Sequence, residues 1–112
     1  MSTLTPPNQA IADLVAVLGD DNVRTLARTF LRDFPIAFQA LESGDRADHH
    51  RRAHSMKSSA QLMGAPELSR RLAGLELSLS DDPEMEISAA ELAAISTMFD
   101  DIARRLQTFV GD

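Results

Sequence analysis

His54, Lys57, Ser58 and Gln61 stand at positions i, i+3, i+4 and i+7 of a segment with helical periodicity. At about 100° per residue these side chains share one face, while Ala53, Met56, Ala60 and Met63 gather on the opposite side and can pack. The pattern displays an imidazole to water with a cation one turn away. Neutral imidazole is a good nucleophile near pH 7, because an ordinary pKa of about 6.5 leaves most of it deprotonated. A nearby ammonium disfavours protonation further and would stabilise an anion attached to the ring. The combination suits covalent capture of a phosphoryl group, whereas an exposed histidine standing alone would be only a solvated polar residue.

The flanking residues extend the same face. His50 precedes His54 by four residues, which is also the spacing of a two-histidine metal clip. A closed metal site needs further ligands, yet the chain has no cysteine and Asp48 falls to one side of the strip, so no metal is expected. His50 is instead assigned to the rim that a partner would touch, and His49 to the boundary with the packed side. Residues 46–71 hold six basic groups (Arg46, Arg51, Arg52, Lys57, Arg70, Arg71) against Asp48 and Glu67, a local +4 in a chain of net charge −6. This basic island is the expected place to meet an anionic or acidic surface, with Arg51 and Arg52 beside His54 favouring an acidic pocket.

Helices must position these groups, for no alternating β pattern appears and glycines are few. A short first helix is expected over about 9–18, with Ile11, Leu14, Val15 and Leu18 on one stripe. Gly19-Asp20-Asp21-Asn22 ends it and caps a second helix over about 22–43, which buries Leu26, Phe30, Phe34, Ala37, Phe38 and Leu41 and is bent by Pro35. Asp45 is the expected N-cap of a third helix over about 46–63, with Asp48 at its N3 position. Gly64 and Pro66 then leave almost no loop before a fourth helix, about 66–80, with Leu68, Leu72, Leu75 and Leu79 along its seam. A fifth helix, about 89–110, opens on Ser88 and Glu91 as a capping box and buries Leu92, Ile95, Phe99, Ile102, Leu106 and Phe109. The fold class is all-α, an antiparallel up-down four-helix bundle with the short first helix as a lid on one end.

Composition limits the function classes. The 112 residues, 44% apolar and 25% charged, suffice for one domain spanning 1–112 with a modest core. Absence of cysteine excludes disulfides, iron–sulfur clusters and thiol nucleophiles. The start, MSTLTPPNQA, has neither the basic region nor the apolar run of a signal peptide, and no stretch approaches the ~20 apolar residues of a membrane span, so a soluble, cytoplasmic protein is expected. Net negative charge argues against nucleic acid as a partner. There is no P-loop or glycine-rich phosphate loop and no room for a nucleotide-binding domain, so phosphorylation from ATP is excluded.

The run Ala53-His54-Ser55-Met56-Lys57-Ser58-Ser59-Ala60-Gln61-Leu62-Met63-Gly64-Ala65 resembles the signature of histidine-containing phosphotransfer (HPt) domains, A-H-x-[apolar]-K-G-[small]-[small] with a glycine ten residues after the histidine. The five-helix plan agrees. The resemblance implies that His54 accepts a phosphoryl group from the aspartyl phosphate of a receiver domain and passes it to another receiver in a two-component phosphorelay. It makes Lys57 the phosphate-steadying cation and Gly64 the turn between the central helices. Gln61 is grouped with them on the polar strip. Family members often carry an acidic or amide residue about 22 positions downstream that bonds the histidine ring, and Glu76 stands there. Such an acceptor for Nδ1–H would leave Nε2 outward as the nucleophile. The alternative for Glu76 is an exposed bundle carboxylate or a partner for Lys57.

The resemblance also implies the surroundings of the reaction. Receiver domains, or a hybrid sensor histidine kinase, would dock weakly and transiently on His50, Arg51, Ser55, Ser58 and Leu62 and the adjoining second helix, against a monomeric carrier. The chain would need no cofactor of its own, with Mg²⁺ held by the receiver. Ser58 departs from the family glycine and adds a Cβ and a hydroxyl to the strip. That departure sustains a second reading, an HPt-like adaptor that docks a receiver without accepting phosphate. A third is a helical scaffold whose basic island binds another anion.

Overall fold

The computed structural model describes residues 5–111, and among these every regular element is helical. The helices are α1 (Gln9–Leu18), α2 (Asp20–Ser43), α3 (His49–Leu62), α4 (Pro66–Asp81) and α5 (Ala89–Val110), with a single 3₁₀ turn, Arg46–Asp48, leading into α3. Each of α2 to α5 packs on its sequence neighbours and α5 returns against α2, closing a ring, with α3 and α4 the most extensive pair. Short connections force successive helices to run antiparallel, which gives the up-down bundle.

Asn8 caps α1, its Oδ1 accepting from Ile11 N at 2.9 Å, while its Nδ2 donates to the carbonyls of Met63 and Gly64 at 3.1 and 3.3 Å. The first helix is thereby fixed over the end of the bundle where α3 turns into α4. Gly64 has φ +78°, and a Cβ there would collide with the Asn8 side chain, so the turn needs glycine for both conformation and space.

The core follows the expected stripes with some losses. Ala53, Met56, Ala60 and Met63 are buried, as are the four seam leucines of α4. Phe34 stacks on Phe99 with ring centroids 4.5 Å apart, and Phe30 lies against both rings. Leu26, Ala37, Phe38, Leu92 and Phe99 are only partly buried, because they line the margins between helices, and Leu14 and Val15 likewise. Leu18 is exposed, so the expected stripe of α1 stops short of its last residue.

Two boundaries and one cap differ from expectation. Gly19, at φ +89°, is both the C-cap of α1 and the N-cap of α2, so α2 starts at Asp20, and the acidic pair Asp20–Asp21 lies in its first turn, where the helix dipole favours it. The third helix begins as a 3₁₀ turn because the Asp45 side chain caps Ala47 N, which tightens residues 46–48; Asp48 becomes the residue before α3 and makes no capping bond. Ser88 caps Glu91 N, but the Glu91 carboxylate completes no capping box and instead receives both Nε and an Nη of Arg71. Pro35 lies within a continuous α2.

His49 latches the start of α3 to α2. Its Nε2 lies 3.1 Å from the Ala40 carbonyl, so that nitrogen carries the proton, and the ring is buried on the packed side. At the far end, α5 has no basic residue in its last turn, and Arg24 and Arg28 of α2 donate to the carbonyls of Phe109 and Val110 instead. Among the described residues no helix is long and apolar enough to cross a membrane.

Candidate functional site

The site is built where α3 and α4 meet. Ala53 and Ala60 lie on the α4-facing side of α3, are fully buried, and let the two backbones approach. Ser69 of α4 donates to the Lys57 carbonyl at 3.2 Å, which fixes the rotation of α4 against α3. That arrangement brings Glu76 level with His54, two elements that tight antiparallel turning at Gly64 places side by side.

Glu76 is the hub. Its Oε2 lies 2.7 Å from His54 Nδ1, its Oε1 lies 2.7 Å from Lys57 Nζ, and His50 Nε2 stands 3.9 Å from Oε2. The two roles weighed for Glu76 are therefore filled together, one oxygen for the imidazole and the other for the ammonium. A carboxylate can only accept, so Nδ1 donates and the ring is the Nδ1–H tautomer. The His54 side chain is 57% exposed against 17% for Glu76, so the ring stands in water on a sheltered carboxylate. Its Nε2 has no bonded partner among the described residues.

The Lys57 ammonium, and then the bond from His54, hold the Glu76 carboxyl below the usual carboxylate range, against a smaller opposing effect of burial. Glu76 is therefore ionised throughout the neutral range. Its charge is matched by Lys57, which leaves His54 facing a carboxylate that is already half engaged.

The remaining expected residues divide by helix angle. On α3, Arg51, Ser58, Leu62 and Ser55 fall to one side of His54 and His50 and Lys57 to the other. The first side borders a groove of about 320 Å³ between α2 and α3, floored by Leu26, Phe30, Phe34, Met56 and Met63 and edged by Ser55 and Leu62. Ser58, Gln61 and Leu62 edge a shallower depression toward Leu14 and Val17 of α1. Leu62, 46% exposed, is the ridge between the two. Gln61 lies two turns along the strip from His54, on the α1 side.

Sequence reading took Leu26, Phe30 and Phe34 only as core; their i, i+4 spacing is also that of a groove wall, and nothing in the sequence separates the two. It also missed that His50 points to Glu76. The basic island does not exist as a unit. Arg71 pairs with Glu91, Arg46 with Glu86 and the Glu84 carbonyl, Arg51 with Asp48 and Lys57 with Glu76. Residues close in sequence across an α-hairpin radiate to different faces, so the local +4 is dispersed and largely compensated. No trio of His, Asp or Glu among the described residues is arranged to hold a metal ion.

A family model described as Hpt domain matches residues 21–105, a span that includes His54, Lys57 and Glu76. No curated protein and no solved structure matches the chain.

Proposed function

Because this chain belongs to the Hpt domain family, whose members serve phosphorelays together with receiver domains and kinases, we propose that it is a phosphohistidine carrier acting through His54. The observation that carries the reading is the asymmetry of one ring: Nδ1 is anchored by Glu76 at 2.7 Å while Nε2 is open to solvent.

In the transfer, the Nε2 lone pair attacks the phosphorus of the receiver's aspartyl phosphate. The N–P bond forms, the P–O bond to the acyl oxygen breaks, and the aspartate carboxylate leaves with the electron pair. Nδ1 keeps its proton, so the ring gains a positive charge as it gains the phosphoryl group, and no proton need move. Glu76 then faces a cationic ring and its bond to Nδ1–H strengthens in the course of reaction, which is where stabilisation accelerates a step. Lys57, one turn along α3, is the cation available to a phosphoryl oxygen once Glu76 turns its charge to the ring. The receiver brings the divalent ion that neutralises the phosphoryl oxygens.

The α2–α3 groove beside Ser55 and Leu62 is the docking surface in this reading, and it takes apolar side chains of the receiver close to the exposed ring. Incubation with a phosphorylated receiver tests the proposal: acid-labile, alkali-stable label is expected on the wild type and not on His54→Gln. Absence of label on both, with binding retained, would establish the second reading, an adaptor that docks receivers, for which the Ser58 side chain beside His54 is the favouring observation.

A further inference from the structure

Two cations flank His54 on α3. Arg51 and Lys57, three residues before it and three after, stand about 60° to either side of it around the helix axis. They are held very differently. Lys57 Nζ lies 2.7 Å from Glu76 Oε1 in a sheltered pair whose side chains are 27% and 17% exposed. An Nη of Arg51 lies 3.4 Å from an Asp48 oxygen, and the Arg51 side chain is 67% exposed. So open a pair is weak, screened by salt and easily exchanged for a stronger anion. Arg52, about 160° around α3 from His54, stands apart from this strip.

The His54 ring lies over the turn that carries Arg51. Long side chains on a helix lean toward its N-terminus. Glu76 Oε2, 2.7 Å from His54 Nδ1, is accordingly also 3.9 Å from His50 Nε2, one turn upstream. With Nδ1 turned to Glu76 on α4, Nε2 looks away from α4, and Arg51 is the cation that α3 carries on that flank.

We propose that Arg51 is a second phosphoryl-binding residue: on transfer its guanidinium exchanges Asp48 for oxygens of the phosphoryl group on His54 Nε2. This rests on His54 being the phosphoacceptor. The incoming group brings up to two negative charges, and the ring in the transfer described above offsets one of them. Lys57 is already spent on Glu76, whereas Arg51 has only an exposed contact to give up. Its planar fork also matches two phosphoryl oxygens at once, which a single ammonium does not.

The test uses phosphoramidate as donor, with the full chain and no receiver, so that docking plays no part. Nε2 bonds to phosphorus as the P–N bond of the donor breaks, and its protonated nitrogen leaves as ammonia. Label on His54 is followed in wild type, Arg51→Gln, Arg51→Lys and Asp48→Asn. The rate is expected to fall about three- to fivefold in Arg51→Gln, the size of an exposed ion pair. It should fall less in Arg51→Lys, which keeps the charge without the fork. Asp48→Asn, which releases Arg51, should match or exceed the wild type. An unchanged rate in Arg51→Gln overturns the proposal. So does a rate in Asp48→Asn as low as in Arg51→Gln, which would mean that the pair merely shapes the start of α3.

Side-chain ¹H–¹⁵N spectra of the chain phosphorylated by either donor give a direct readout. The Arg51 Nε–H signal is expected to shift on phosphorylation, while that of Arg70, exposed on α4, stays in place. No movement at Arg51 overturns its role and leaves the carrier reading intact. Failure of the carrier reading shows separately, as absence of label on the wild type from a phosphorylated receiver, and would remove the role of Arg51 with it.

Discussion

Glu76 Oε2 and His54 Nδ1 meet at 2.7 Å across the α3–α4 interface, and this bond occupies Nδ1 and leaves Nε2 as the unengaged nitrogen of the ring. The relationship is set by packing rather than by the side chains alone. The buried alanines of α3, the Ser69 bond to the Lys57 carbonyl and the turn at Gly64 together place a carboxylate level with the ring.

Removing the acceptor should expose its contribution. Glu76→Ala is expected to lower the rate of phosphotransfer to His54 by about 10–100-fold, the range typical of a lost partner that orients a reacting imidazole. Glu76→Gln keeps an acceptor oxygen without charge and should fall between wild type and alanine. Single-turnover label transfer gives the rates, and ¹⁵N ring shifts should show a mixed tautomer in the alanine variant. A wild-type rate in Glu76→Ala would remove Glu76 from the mechanism.

The state of Glu76 also links the site to acid stability. Its carboxyl is held below the usual range mainly by Lys57, so the folded state binds this proton less readily than the unfolded chain. The resulting stabilisation is fully present above the unfolded carboxylate range and is lost as pH falls through the depressed folded value. Lys57→Met should bring the Glu76 titration, followed by side-chain ¹³C NMR, back toward the ordinary range. It should also reduce the acid dependence of the unfolding free energy measured in urea. An unmoved Glu76 titration would contradict the assignment of Lys57 as the principal cause.

Leu62 stands on the ridge between the α2–α3 groove and the depression toward α1, with nearly half its surface in water. Leu62→Asp should leave stability within about 0.5 kcal/mol, as for other exposed positions. Receiver affinity should fall about tenfold or more, equivalent to ~1.4 kcal/mol. Ser58→Gly, which restores the residue usual in the family, should cost a few tenths of a kcal/mol in helix propensity, about 0.5 at most. It should speed label transfer if the Ser58 side chain crowds the approach to His54. Calorimetric titration with the receiver and denaturant unfolding separate docking from folding in both variants.

Two glycines should respond in opposite directions to alanine. Gly64→Ala forces a side chain into left-handed backbone and onto Asn8, and should destabilise the fold by ~2 kcal/mol or more, with about 1–2 from the backbone alone. Gly74 lies inside α4 with nothing near its missing Cβ, so Gly74→Ala should stabilise by about 0.5–1 kcal/mol. Chemical denaturation of the two variants checks both signs at once.

Much of the fold was legible because its stripes are strict. The periodicity of Ile95, Ile102, Leu106 and Phe109 with Ser88 ahead gave α5 its observed bounds, and Gly64-Ala65-Pro66 marked the central turn. Capping chemistry was harder to read. Asp20, Asp21 and Asn22 are all good caps, yet Gly19 took the position, with φ +89° that favours glycine over any of them. At the site, His54 and Lys57 were visible from spacing and Glu76 only through the family resemblance, since a contact 22 residues apart depends on helix pairing that composition does not encode. The arginines misled for the same reason: proximity along a hairpin is not proximity in space, and Arg71 and Arg46 were claimed by Glu91 and Glu86.

The two flanks of His54 are chemically separate, with a carboxylate and an ammonium toward α4 and an oily trough toward α2. With the trough as the proposed docking surface, substitutions there should alter which visitor is recognised and how long it stays, and leave the electrical setting of the His54 ring untouched. On that reading, a bundle of this design could change its clientele without relearning its chemistry.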